Sequence, residues 1–180
     1  MERRFFLAAL PAGLLLSSAK TNATVYFTGE TIKKTLFPSA TRFVDRSVIL
    51  SKEQMKAIAN SAGTRVSAAR VTAMDAYSTN GKIGTLFIDK VYGKHEFITF
   101  ALALDRGGGV RGLEVMDYRE SYGDQIRLPK WRAQFAGKRY GQPLQIDKQI
   151  KNISGATLSC VHITEGVNRL LATHALAINA

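Results

Sequence analysis

The sequence predicts an α+β fold: a single domain with an antiparallel sheet flanked by helices and a long C-terminal helix. Three patterns predict it. Between residues 66 and 116, four runs rich in β-branched and aromatic residues follow one another with tight turns between them. After residue 157, Val161, Thr164, Val167, Leu171, Ala175 and Ile178 recur three or four apart without an intervening Pro, the spacing of an amphipathic helix. Shorter segments with helix caps and stops flank the strand runs, which places helices against a sheet.

The elements follow in order from the N-terminus. Met1-Glu2-Arg3-Arg4 is a charged start, residues 5–16 are apolar, and Ser17-Ser18-Ala19-Lys20-Thr21-Asn22-Ala23 is a small-residue stretch suited to cleavage. These are the three parts of a secretory signal peptide. The apolar run falls short of the roughly 20 residues that span a bilayer. Arg3-Arg4-Phe5-Phe6-Leu7 also resembles the twin-arginine export signal, and both kinds of leader stay open. Cleavage is expected after Ala19 or Ala23, so residues 1–23 are assigned to the export signal and 24–180 to the working domain. That domain is expected in the periplasm or another extracytoplasmic space, with membrane association open.

The stretch from Thr28 to Pro38 reads as a short helix that Pro38 closes, followed by a strand over 41–49. Ser51-Lys52-Glu53-Gln54 supplies a cap with acid and amide groups in the first turn, so a helix is expected to about Ser61, stopped by Gly63. The strand runs are 66–74, 84–91, 97–105 and 110–116, with Ser78-Thr79-Asn80-Gly81 and Arg106-Gly107-Gly108-Gly109 as turns. A covering helix is expected over 128–135, with Pro129 in its first turn and Gly137 just past its end.

Composition bounds the function. A formal charge of +11 on 180 residues favours anionic partners: acidic redox proteins, membrane headgroups or phosphate ligands. Nucleic acid would suit such a charge, but export argues against it. One cysteine, Cys160, closes no internal disulfide and excludes c-type haem attachment, and its place near the helix start suits a small buried residue. His95, His162 and His174 are scattered, so they read as surface or packing residues and no metal site is assigned. Neither paired carboxylates nor a Ser, His and Asp arrangement marks an independent catalytic site.

Two stretches carry chemistry. Ser154-Gly155-Ala156-Thr157-Leu158-Ser159 opens the C-terminal helix, where backbone N–H groups lack intrahelical partners and the helix dipole is positive. Such a start accepts an anion, most often phosphate, or is simply a well-capped helix end. The second stretch, Tyr118-Arg119-Glu120-Ser121-Tyr122-Gly123, leaves a strand as a charged loop whose glycine would let a ligand approach the backbone.

Together with Trp131, Gln134, Phe135, Gly137 and Lys138 between them, these blocks resemble the FMN-binding domain of exported flavoproteins. That family includes the flavin-carrying subunits of Rnf-type and sodium-pumping NADH:quinone oxidoreductases and stand-alone periplasmic proteins. The resemblance covers roughly 84–171, and the order and separation of the blocks are its most specific feature. It implies FMN as cofactor and Thr157 as the residue that a dedicated flavin transferase esterifies with the flavin's phosphate. It implies Ser154, Gly155, Ala156 and Ser159 as the surrounding cradle, and a loop with Glu120 and Gly123 bordering the isoalloxazine ring. Trp131 and Phe135 are expected to pack the covering helix. Two departures stand out. Lys151 occupies the position, three residues before Ser154, where the transferase's pattern has Asp. The loop also lacks the Thr-Pro-Gly-Leu insertion of the complex subunits, which points to the stand-alone branch.

The function expected from this is an exported electron carrier, rather than an independent enzyme, working between membrane or periplasmic redox partners. A flavin-binding sensory or accessory domain that regulates a membrane redox complex is the alternative. A basic adaptor that has lost its cofactor is a third.

Overall fold

A computed structural model describes residues 24–121 and 123–179, so the expected export signal and Tyr122 lie outside the described residues. Its framework is an antiparallel sheet. Strands β1 (Thr24–Val25), β2 (Arg42–Asp45), β3 (Val48–Ile49), β4 (Arg70–Ser78), β5 (Gly81–Tyr92), β6 (Phe97–Asp105) and β7 (Val110–Tyr118) take the order β1-β7-β6-β5-β4-β2, with β3 paired to β4. The β4 to β7 meander is the one the strand runs and turns predict, and the α+β class holds.

Helix α1 (Gly29–Leu36) and helix α2 (Lys52–Ala62) each start on a capping box, Thr28 with Thr31 and Ser51 with Gln54. Gly63 ends α2 at φ 67°, a left-handed conformation that glycine adopts without penalty. Helix α3 (Pro129–Arg132) runs into a 3₁₀ turn at Ala133–Phe135, so the covering segment is shorter and tighter than one continuous helix. Helix α4 (Thr157–Thr173) continues as a π-helical turn over His174–Ile178.

The two faces of the sheet are covered differently. Phe87, Phe100, Leu102, Leu104 and Val115 point toward α4, where Cys160, Ile163, Val167, Leu170 and Leu171 meet them. Leu86, Ala101, Ala103 and Met116 alternate to the opposite face and pack under Ile32, Leu36 and Phe37 of the α1 segment. Each of those three large side chains contributes about 1.5–3 kcal/mol by burial. The approach of α1 depends on small residues, since a Cβ on Gly84 would lie 2.7 Å from the Phe37 ring and one on Gly112 would lie 2.8 Å from Leu36.

Three expectations shift. The strand expected over 41–49 is divided because the Asp45 carboxylate accepts hydrogen bonds from the Ser47 backbone N–H (3.0 Å) and hydroxyl (2.6 Å), a local turn that competes with the ladder. The strand expected over 66–74 is β4 at Arg70–Ser78. Val66 leaves the sheet to join Leu50, Ile58, Ala62 and Ala172 beneath α2, while Asp75 to Ser78 pair with β5. The buried stripe of α4 is led by Cys160, Ile163, Val167, Leu170 and Leu171, whereas Val161 is only half-buried. Cys160 is fully buried, and burial pushes its thiol up, as befits a packing residue.

Candidate functional site

The segment leading into α4 is fixed from behind by the covering helix. The Trp131 indole N–H donates to the Lys151 carbonyl (2.8 Å), and the Lys151 backbone N–H donates to the Gln134 side-chain oxygen (2.7 Å). Trp131 itself is buried and stacks edge-on with buried Phe135, their ring centroids 5.2 Å apart. Both aromatic rings therefore pack the core, and Trp131 and Gln134 hold residue 151 in place.

From there the chain turns sharply. The Ala156 N–H donates to the Ile153 carbonyl (3.0 Å), and Gly155 takes φ 83°, where a side chain would be strained. Helix α4 starts at Thr157 with Ala156 as its N-cap, and no side chain caps it. The Thr157 side chain is exposed, and its hydroxyl oxygen accepts a hydrogen bond from the Asn152 amide (3.2 Å), whose own oxygen accepts from the Ile153 N–H (2.8 Å). The hydroxyl is thus oriented rather than free to rotate.

The second loop meets the first through Gly123. This residue is buried at φ 87°, and a Cβ there would lie 2.7 Å from the Ala156 Cβ and 2.9 Å from the Tyr118 hydroxyl. Only glycine lets the two loops touch at this point. The Tyr118 hydroxyl is hydrogen-bonded to the Ser159 side chain, and burial pushes that hydroxyl's pKa up despite the bond. The end of β7 is thereby joined to the first turn of α4.

Around this junction lies an open cavity of about 620 Å³, walled by residues 155–159, by Glu120 and Ser121, and by Lys94 and His95 of the β5–β6 turn. That size falls in the ~300–1,000 Å³ range of small-molecule sites. Of the residues the sequence singles out, Gly155, Ala156, Thr157, Ser159 and Glu120 line it. Ser154 is exposed on the turn outside it, and Gly123 lies beneath it as packing. Lys94 goes unnoticed in the sequence, His95 is read there as a surface or packing residue, and Ser121 lies in the singled-out loop without a site role of its own. The signal of Lys94 and His95 was a pair of adjacent residues in a hairpin turn, but nothing local tells which loop that turn faces.

The Glu120 carboxylate is not simply an open edge of the cavity. Its Oε1 accepts hydrogen bonds from three successive backbone N–H groups, those of Lys94, His95 (2.7 Å) and Glu96 (3.1 Å). Burial pushes this carboxyl up, but the three N–H donors together outweigh it and hold the group below the ordinary carboxylate range. Among the described residues no cluster of three or more His, Cys, Asp or Glu side chains is arranged to hold a metal.

An uncapped helix start, an exposed hydroxyl and a neighbouring lysine around one cavity define a domain that takes an anionic small molecule. Residues 93–172 match the family model of the FMN-binding domain, and that segment belongs to this family. No curated protein matches the chain. FMN is the cofactor, and the residues present fit it: the cavity accommodates a small ligand, the start of α4 suits a phosphate, and Thr157 offers a hydroxyl there.

Proposed function

We propose that the protein is an exported FMN-binding electron carrier whose flavin is joined to Thr157 through a phosphoester made by a dedicated flavin transferase. The single observation that carries this reading is the exposed Thr157 hydroxyl at the uncapped start of α4, on the wall of the cavity shared with the Glu120 loop. When bound, FMN supplies reversible electron uptake. The chain's own residues bind and orient it. Asn152 aims the Thr157 oxygen, and the first N–H groups of α4 with the helix dipole stabilise a phosphate's charge. Gly155 supplies the left-handed turn into α4, and Gly123 lets the two loops pack together as one cradle. A covalent tether keeps the cofactor from diffusing away outside the cell.

The net charge of +11 supports acidic or membrane-surface redox partners. The N-terminal pattern supports an export signal over 1–23, followed by a working domain over 24–180 in the periplasm or another extracytoplasmic space. Lys151 in place of Asp alters the transferase's recognition pattern; its backbone is held by Trp131 and Gln134, and the residue is exposed.

Mass spectrometry of the exported protein, produced with its transferase, tests the reading in one measurement. The expected species begins at residue 20 or 24 and carries the mass of one FMN, and Thr157→Ala lacks that mass and its in-gel flavin fluorescence. Unmodified wild-type protein sinks the covalent claim, and absence of bound flavin of any kind sinks the carrier claim.

A further inference from the structure

We propose that Glu120 is a positioning residue: it holds the β5–β6 turn so that Lys94 and His95 wall the flavin cavity, and through them, beyond the direct effect of its own charge, it acts on the flavin's electron affinity. The proposal rests on the FMN reading of the cavity. Its basis is the convergence of three successive backbone N–H groups on one carboxylate oxygen reaching over from the end of β7, the strand beyond β6. Consecutive amides arranged around one anion form a nest, a strong and directional clamp. A second observation shows that the clamp is built into the chain. A Cβ on Gly93 would lie 2.3 Å from the same oxygen, so the turn must begin with glycine for the carboxylate to reach it. The Gly93 N–H donates to the Glu96 carbonyl (2.7 Å) and closes the turn.

The consequence is electrostatic. A reduced flavin carries more negative charge than an oxidised one, so a lysine fixed at the cavity wall favours reduction more than one on a loose loop. Glu120 is separated from the turn by 24 to 26 residues, yet it decides where the turn's side chains stand.

Two measurements on the full chain test this. In flavin-free protein, the amides of Lys94, His95 and Glu96 are expected to exchange at least tenfold faster in Glu120→Ala and in Gly93→Ala than in wild type. Glu120→Gln, which keeps an acceptor oxygen, is expected to stay near wild type. In FMN-loaded protein, Glu120→Ala and Glu120→Gln both lack the charge, so their difference isolates the clamp. The oxidised-to-reduced equilibrium is expected to differ about tenfold, or ~30 mV for a two-electron couple, with the Ala variant harder to reduce. That difference should vanish when Lys94→Gln and His95→Gln are both present. Equal potentials in the two variants, unchanged amide exchange, or a difference that persists without Lys94 and His95 would each overturn the proposal. If Glu120→Ala does not fold, Gly93→Ala takes its place in the exchange comparison, and its potential is compared with that of wild type, which carries the same Glu120 charge. Wild-type protein that takes up no FMN defeats the flavin reading and the electronic role, while the exchange result independently upholds or overturns the clamp.

Discussion

Helices α2 and α4 begin in opposite ways. Ser51, at φ −69° and ψ 166°, has the extended backbone of an N-cap, and its hydroxyl accepts from the Gln54 N–H (3.2 Å) while the Gln54 side chain accepts from the Ser51 N–H (2.9 Å). Ala156, at φ −124° and ψ 18°, has neither the side chain nor the backbone for such a cap. The chain therefore caps a helix of 11 residues fully and leaves one of 17 residues uncapped. The difference shows that the open start of α4 is dictated by the Gly155 turn and by the contact of Ala156 with Gly123, rather than by a weak choice of residue. Stabilisation given up at that end becomes available to an anion.

The strongest way to break the contrast is Thr157→Ala. Covalent flavin is expected to disappear completely in denaturing gels, while thermal denaturation of the flavin-free protein shifts by no more than about 0.5 kcal/mol, because the side chain is exposed. A large loss of stability would mean that Thr157 serves the fold instead. Next in size is Gly123→Ala, which strains a residue at φ 87° and drives a methyl against Ala156 and Tyr118. Urea denaturation should show a loss of about 1–3 kcal/mol, together with weaker FMN retention. Ser51→Ala sharpens the other side: a loss of about 1 kcal/mol with flavin content unchanged.

Acidity probes a third place, the far end of α4. Buried His174 packs edge-on against Phe87, and its pKa is lowered first by burial and then by the charge of Lys82. The native state thus disfavours the protonated ring, and this contribution to stability is present above the ordinary value of 6.5 and lost as pH falls below it. Denaturation midpoints measured between pH 7.5 and 5.5 should fall with acid, and His174→Gln should flatten that slope. The smallest effect is expected for Ala156→Ser, which should change stability by less than about 0.5 kcal/mol because the backbone at 156 is not extended as a capping residue's must be. A clear gain there would show that only the side chain was missing.

Much of this molecule was legible locally. The Ser51 capping box, the Gly63 stop, the β4 to β7 meander and the long C-terminal helix follow from periods of two and of three to four residues and from the few residues that suit turns and caps. The Gly155-Ala156-Thr157 stretch was legible for the same reason, since its chemistry lies in consecutive residues. Other features had no local signature. Val66 belongs under α2 rather than in β4, because an apolar side chain does not specify which surface buries it.

The sequence by itself determined which stretches become helix or strand, where α2 is capped and stopped, and which hydroxyl stands at the start of α4, because those depend on neighbours along the chain. Only the tertiary structure decided that Gly123 packs on Ala156, that Lys94 and His95 share a cavity with Thr157, and that the Glu120 carboxylate is taken up by the turn beside them. Those contacts join residues 24 to 63 positions apart, and they form only once the packed sheet and α4 bring their loops to the same end.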